Sequence, residues 1–121
     1  MPREADKFLF DALGALTAIE AYTAGLDFPA FGHNGMIQAA VERKFEIVGE
    51  ALNRIQRVDA DLFDRIPQAR RIVGFRNILA HGYDVIDPEV VWDVIANHLL
   101  PLKDSLQQAL ARQVGFDGSD A

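Results

Sequence analysis

The chain is expected to fold as an all-α up-down bundle of four or five helices, with the first two forming an antiparallel pair. Three observations predict this. Apolar residues recur in alternating steps of three and four along several separate stretches, the spacing that lays one stripe along an α-helix. No stretch alternates apolar and polar residues over the length of a strand, and no repeat, linker or low-complexity block interrupts the chain. Half of the 121 residues are hydrophobic, enough for one core in a single domain of ordinary size.

The first helix spans about residues 6–24, with Phe8, Ala12, Ala15, Ile19 and Tyr22 on one face, Asp6 as N-cap and Gly25 as stop. Leu26 to Gly35 reads as a loop because its Pro, Gly and Asn break helices, and Phe28 and Phe31 are expected to tuck against the core. His33 stands in that loop without the partners a metal site needs, so it reads as a surface histidine. The second helix, about residues 35–57, carries Val41, Phe45, Val48, Leu52 and Ile55 as its buried stripe. Glu42, Glu46 and Glu50 form an acidic row on it, and Glu50 can pair with Arg54.

After the acidic turn Asp59-Ala60-Asp61, Leu62, Phe63 and Ile66 return apolar bulk to the core. Pro67 suits the first turn of a third helix. That helix runs to about His81 with Ile72, Phe75 and Leu79 inward, and Gly82 is placed to stop it. Asp87-Pro88 then gives an N-cap followed by proline at the first helical position. The last helix has Val91, Ile95, Leu99, Leu102, Leu106 and Leu110 in register, and Pro101 should kink or divide it. From about Gly115 the Gly, Ser and Asp content suggests a frayed, disordered tail.

Composition excludes several functions. The absence of cysteine removes disulfides, thiolate zinc sites and cysteine nucleophiles together. Met1 to Lys7 lacks the apolar region of a signal peptide, and no apolar run approaches the ~18 residues of a membrane span. A soluble cytoplasmic protein, without a membrane partner, is the expectation. The net charge of −6 argues against broad nucleic-acid binding. The charge is uneven, however. Residues 43–76 hold eight Lys or Arg against five acids, and the remainder four against thirteen. Such asymmetry permits an anionic ligand beside the centre of the chain.

The chemistry-bearing stretch is Phe75 to Tyr83. Arg76 is permanently cationic and forks onto phosphate oxygens. His81 can exchange a proton near neutral pH, and Asn77, four residues before it, shares its helix face. Arg76 and His81 are five apart, about 140° around a helix that turns ~100° per residue. One regular helix therefore does not aim both at the same atom. Either the helix unwinds before Gly82, or a second subunit completes the site. A purely structural alternative is equally concrete: Arg76 pairs with an acid such as Glu50, His81 is a C-terminal helix cation, and Tyr83 is a packed loop aromatic.

Arg76-Asn77-Ile78-Leu79-Ala80-His81-Gly82-Tyr83 resembles the R-x4-H-x-Y motif of HepT-like proteins in the HEPN superfamily. Glu46-Ile47-Val48-Gly49-Glu50-Ala51 resembles that family's second-helix signature. Asp87 to Trp92, followed by Leu100 to Lys103, resembles the segment after the motif. Together these cover roughly residues 8–106. One departure is Gln68, where a tryptophan often follows the proline in this family. The resemblance implies a helical homodimer whose motif copies meet in a cleft, acting as a ribonuclease without metal or other cofactor. His81 would move protons at the attacking ribose 2′-hydroxyl, Arg76 would neutralise charge on the scissile phosphate, and Asn77 would orient the phosphate or His81. It further implies a toxin of a type VII toxin–antitoxin pair acting on tRNA or mRNA. Its antitoxin would be a minimal nucleotidyltransferase of the MntA type that silences it by transferring AMP to Tyr83. A non-catalytic HEPN module that binds and regulates a nucleotidyltransferase is the alternative.

Overall fold

Every element that the apolar period marks out is present, and two short helical turns join them. The structure is a computed structural model that describes residues 3–81 and 86–119. Its helices are α1 (Ala5–Thr23), α2 (Phe28–Gly32), α3 (Gly35–Val58), α4 (Ala60–Asp64), α5 (Ala69–His81), α6 (Pro88–Asn97) and α7 (Leu99–Ser119). The described chain is all-α, as expected, with five longer helices and the single turns α2 and α4. No helix among the described residues is long and apolar enough to cross a membrane.

α3 is the central element. Its Val41, Phe45, Val48, Leu52 and Ile55 are fully buried, and it packs against α1 on one side and α5 on the other. Each large side chain so buried contributes about 1.5–3 kcal/mol. α1 and α3 run antiparallel, because Phe8 near the start of α1 lies under Arg54 near the end of α3, 5.8 Å from ring centroid to guanidinium carbon. Phe45 meets Phe75 of α5 edge to face at 5.3 Å, a favoured ring geometry. On the far side of α1, α7 is held by Lys103, which pairs with Glu20. Arg3 also donates to the Ala109 carbonyl at 2.8 Å.

Several local expectations need correction. α1 begins one residue before Asp6. Glu4 takes the cap position without a side-chain bond, while Asp6 in the first turn accepts from the backbone N–H and Nε of Arg3. The inward position expected for Tyr22 belongs to Thr23, whose hydroxyl donates to the Ile19 carbonyl at 2.8 Å. Gly25 does follow the end of α1, in a left-handed conformation at φ 76°.

The stretch expected as loop contains α2, because Asp27 caps it by accepting from Ala30 N–H and proline occupies the first turn. Phe31 is fully buried and stacks against Trp92 of α6 at 5.2 Å, so the aromatic anchoring is as expected. His33 is exposed, also as expected.

Pro67 lies in the turn before α5 rather than inside it. Gln68 next to it has φ 77°, an uncommon conformation for a residue with a Cβ, and its amide oxygen lies 2.9 Å from His98 Nδ1. The last helical segment divides at His98, not at Pro101. Pro101 has no N–H to offer the Asn97 carbonyl. The chain therefore breaks one turn earlier, leaving Pro101 in the first turn of α7, where helix N–H groups have no partner anyway. Asp87 and Pro88 start α6 as expected, with Asp87 accepting from Glu89 N–H at 2.9 Å. α7 remains helical to Ser119, through residues whose composition suggests fraying. The expected stop at Gly82 lies outside the described residues.

Candidate active site

α5 is helical without interruption through His81. Of the two ways to bring Arg76 and His81 to one atom, unwinding of the helix is thereby removed within the described residues. Arg76 is half-buried at the α3 side, whereas Asn77 and His81 are exposed on another face, as the ~140° separation requires. Ile78 beside them is 57% exposed. Gly74, one turn back, has open space where a side chain would be. Asn77 and His81 thus share the exposed side of α5, while Arg76 lies on the α3 side, within reach of Asn77. Tyr83 lies outside the described residues.

What holds Arg76 is a feature of α3 that periodicity does not reveal. The arginine stem lies directly on Gly49. A Cβ built there would stand 2.2 Å from Arg76 Cβ, 2.6 Å from its Cγ and 3.5 Å from the Ile72 carbonyl oxygen. Only glycine permits that approach of two helices. Beyond the stem, Arg76 Nη2 forms an ion pair with Glu50 Oε2 at 3.3 Å, and Glu50 Oε1 accepts from Arg54 Nε at 3.2 Å. One carboxylate thus serves two guanidinium groups. Arg76 Nη1 also donates to Asn77 Oδ1 at 3.3 Å. Its Nε is buried with no hydrogen-bond partner among the described residues, a state worth about 1–3 kcal/mol of destabilisation. The bond to Asn77 is longer than an ordinary N–H···O bond, and the contact with Glu50 is an ion pair only. The group is positioned but not locked. The side chain that Asn77 contacts is that of Arg76.

Arg76 lines an open groove of about 250 Å³ between α1 and α3, floored by Phe8, Ile47 and Ala51 and edged by charged residues. Among the described residues no three His, Asp or Glu side chains gather as metal ligands do. The acidic row on α3 is divided in its roles: Glu50 pairs with Arg76, Glu46 pairs with Arg43 at 3.4 Å, and Glu42 is half-buried. Burial, and secondarily the Glu46 carboxylate, push the Glu42 carboxyl above its ordinary 4.5. A carboxyl with a raised value binds its proton more tightly in the folded chain, so its charged form opposes folding at neutral pH. Glu42→Gln is therefore expected to raise the thermal midpoint slightly at pH 7, solvent screening keeping the gain small. The gain should vanish as pH falls through the raised value towards 4.5, which thermal denaturation across that range would check.

With this geometry established, likeness to other proteins becomes informative. The family described as "Ribonuclease HepT-like" matches residues 12–109, from the middle of α1 to the packed part of α7. The chain belongs to the HepT-like ribonuclease family. It is 32% identical over 105 residues to a candidate RNase of Methanocaldococcus jannaschii, covering 87% of this chain and 95% of that one. It is 31% identical over 108 residues to the probable ribonuclease HepT of Thermococcus cleftensis, covering 89% and 97%. No solved structure matches the chain significantly. Membership of the HepT-like family supports an endoribonuclease activity, and the matched span includes Gly49, Glu50, Arg76, Asn77 and His81.

Proposed function

We propose that the protein is an endoribonuclease toxin whose site is composite, with Arg76 from one protomer and His81 from its partner acting on one RNA linkage. The observation that carries this reading is the unbroken α5, which separates the two groups within a chain while leaving Ile78, and Gly74 one turn before it, uncovered. A small residue next to an exposed apolar one suits close approach of a second helix.

In the reaction His81 takes the proton from the ribose 2′-hydroxyl as its oxygen attacks phosphorus. The bond from phosphorus to the 5′-oxygen breaks, that oxygen takes a proton from the imidazolium so formed or from water, and a 2′,3′-cyclic phosphate remains. Arg76 neutralises charge growing on the phosphoryl oxygens, exchanging its loose contacts with Glu50 and Asn77 for the substrate. Because the nucleophile belongs to the substrate, the chemistry needs no metal and selects RNA over DNA. The substrate is tRNA or mRNA.

The protein is further proposed to be paired with a minimal nucleotidyltransferase antitoxin of the MntA type, which transfers AMP to Tyr83. Tyr83 is two residues from His81 in sequence. An added phosphodiester and nucleoside there would repel and obstruct the substrate phosphate. The net charge of −6 favours a second reading, a HEPN module that only binds and regulates such a partner.

RNA cleavage separates the two. Protein verified by intact mass to carry no AMP is expected to cut RNA in EDTA, and His81→Ala to cut about 10²- to 10⁴-fold more slowly with an unchanged helical spectrum. RNA left whole by the unmodified dimer would leave the regulatory module as the answer. Co-expression with a minimal nucleotidyltransferase of the MntA type should add one or more AMP masses at Tyr83 and silence cutting.

A further inference from the structure

The groove beside Arg76 offers more than a phosphate site uses. Its floor is apolar, from Phe8, Ile47 and Ala51, and the Phe8 ring already attracts cations, with Lys7 Nζ 5.0 Å and Arg54 5.8 Å from its centroid. Its volume of about 250 Å³ suits a planar ring system. On its edges stand Asp11, which is exposed, and Glu46, whose pair with Arg43 is open to solvent at 3.4 Å. Exposed pairs of this kind contribute little, so the Glu46 oxygens are available for exchange.

Whatever chain places a phosphate on Arg76 must place the adjoining nucleoside within reach of this groove. Single-stranded bases are recognised by stacking on apolar or aromatic side chains and by hydrogen bonds to their edges. Ionised carboxylates only accept hydrogen bonds. A base held between Asp11 and Glu46 must therefore present N–H donors. Guanine, adenine and cytosine each have an exocyclic amine. Uracil has instead a ring N–H flanked by two carbonyl oxygens, which carboxylates repel.

We propose that the α1–α3 groove receives the RNA base next to the linkage that is cut, and that Asp11 and Glu46 select a base bearing an exocyclic amine over uracil. The proposal rests on the ribonuclease reading, because that reading supplies the phosphate at Arg76. It adds a specificity-determining subsite, and it gives the mixed charge of the groove a purpose. The guanidinium of Arg76 recruits the backbone, and the carboxylates read the base.

The test uses short 2′-O-methyl oligocytidylate and oligouridylate, which lack the nucleophile and cannot be cut, with binding to the full chain followed by fluorescence anisotropy. Wild-type protein should bind oligocytidylate about tenfold more tightly, the scale of a hydrogen bond to a charged group. Asp11→Ala and Glu46→Ala should each shrink that ratio and together bring it to about one. Arg76→Ala should weaken both ligands alike, as loss of a phosphate contact does. Equal binding of the two by wild type, no binding of either, or a preference that survives the double alanine variant would each overturn the proposal. The outcomes for the two readings remain distinct. A base preference without any RNA cleavage removes the nuclease, and with it a cut linkage beside the groove, leaving base selection alone, while cleavage without preference removes the subsite alone.

Discussion

Mixing Arg76→Ala chains with His81→Ala chains is expected to restore RNA cleavage to about a quarter of the wild-type rate, on random pairing into symmetric dimers. Each variant alone should be slowed by about 10²-fold or more, the usual scale for loss of an electrostatic or a proton-transfer group. The recovery follows from α5. Its helix is regular from Ala69 to His81, so Arg76 and His81 leave one protomer about 140° apart. If the reacting linkage sits between protomers, a mixed dimer contains one site with an intact guanidinium and an intact imidazole. Half of randomly paired dimers are mixed, and each retains one of its two sites. If instead each chain supplied both groups to its own site, no dimer of any kind would be whole, and the mixture would stay as slow as its parts. Subunit exchange before the assay, confirmed by a mass-tagged chain, makes a flat result decisive against the composite site.

How far the chain could be read beforehand depended on the range of the interaction. The stripes of α1 and α3 follow from a period of 3.6, and nine of their ten marked residues are buried or half-buried, Tyr22 being the exception. Asp27 and Pro29 carry a helix-start signal, a cap followed by proline in the first turn, that the surrounding Gly and Asn obscure at α2. Pro101 announced a break correctly. Its place was misread because proline disrupts the turn before itself and is tolerated in the first turn of the helix it begins.

At the site, the pairing of Arg76 with Glu50 was foreseen as a purely structural alternative, and it is present. It does not compete with function. A loosely held arginine is the form a substrate phosphate can recruit. The conformation of Gln68 and the role of Gly49 could not be read, because each depends on where a second helix lies. Gly49 was visible only as a letter in a resemblance.

Gly49→Ala is expected to be the most damaging single-methyl change in the chain. Inside a helix, glycine to alanine ordinarily stabilises by about 0.5–1 kcal/mol, through lower backbone entropy in the unfolded state. Gly14 in α1, with nothing within 4 Å of its missing Cβ, should behave that way, with Gly14→Ala raising the thermal midpoint by a few degrees. At Gly49 the added carbon would meet Arg76 Cβ at 2.2 Å and Cγ at 2.6 Å. The Cβ is fixed to the α5 backbone and cannot swing aside, so α3 and α5 must separate. Overpacking of this kind costs about 1–3 kcal/mol, enough to outweigh the helix gain and lower the midpoint. Separation also carries the Arg76 guanidinium away from Glu50 and from the substrate phosphate. A displacement of about 1 Å at a reacting centre can cost on the order of 10²-fold in rate, so cleavage should fall further than the lost stability explains at temperatures where the variant is folded. Thermal denaturation and cleavage measured side by side for the two alanine variants check both parts. If Gly49→Ala melted as high as Gly14→Ala and cut RNA at the wild-type rate, the close seat of Arg76 on α3 would not be what positions it.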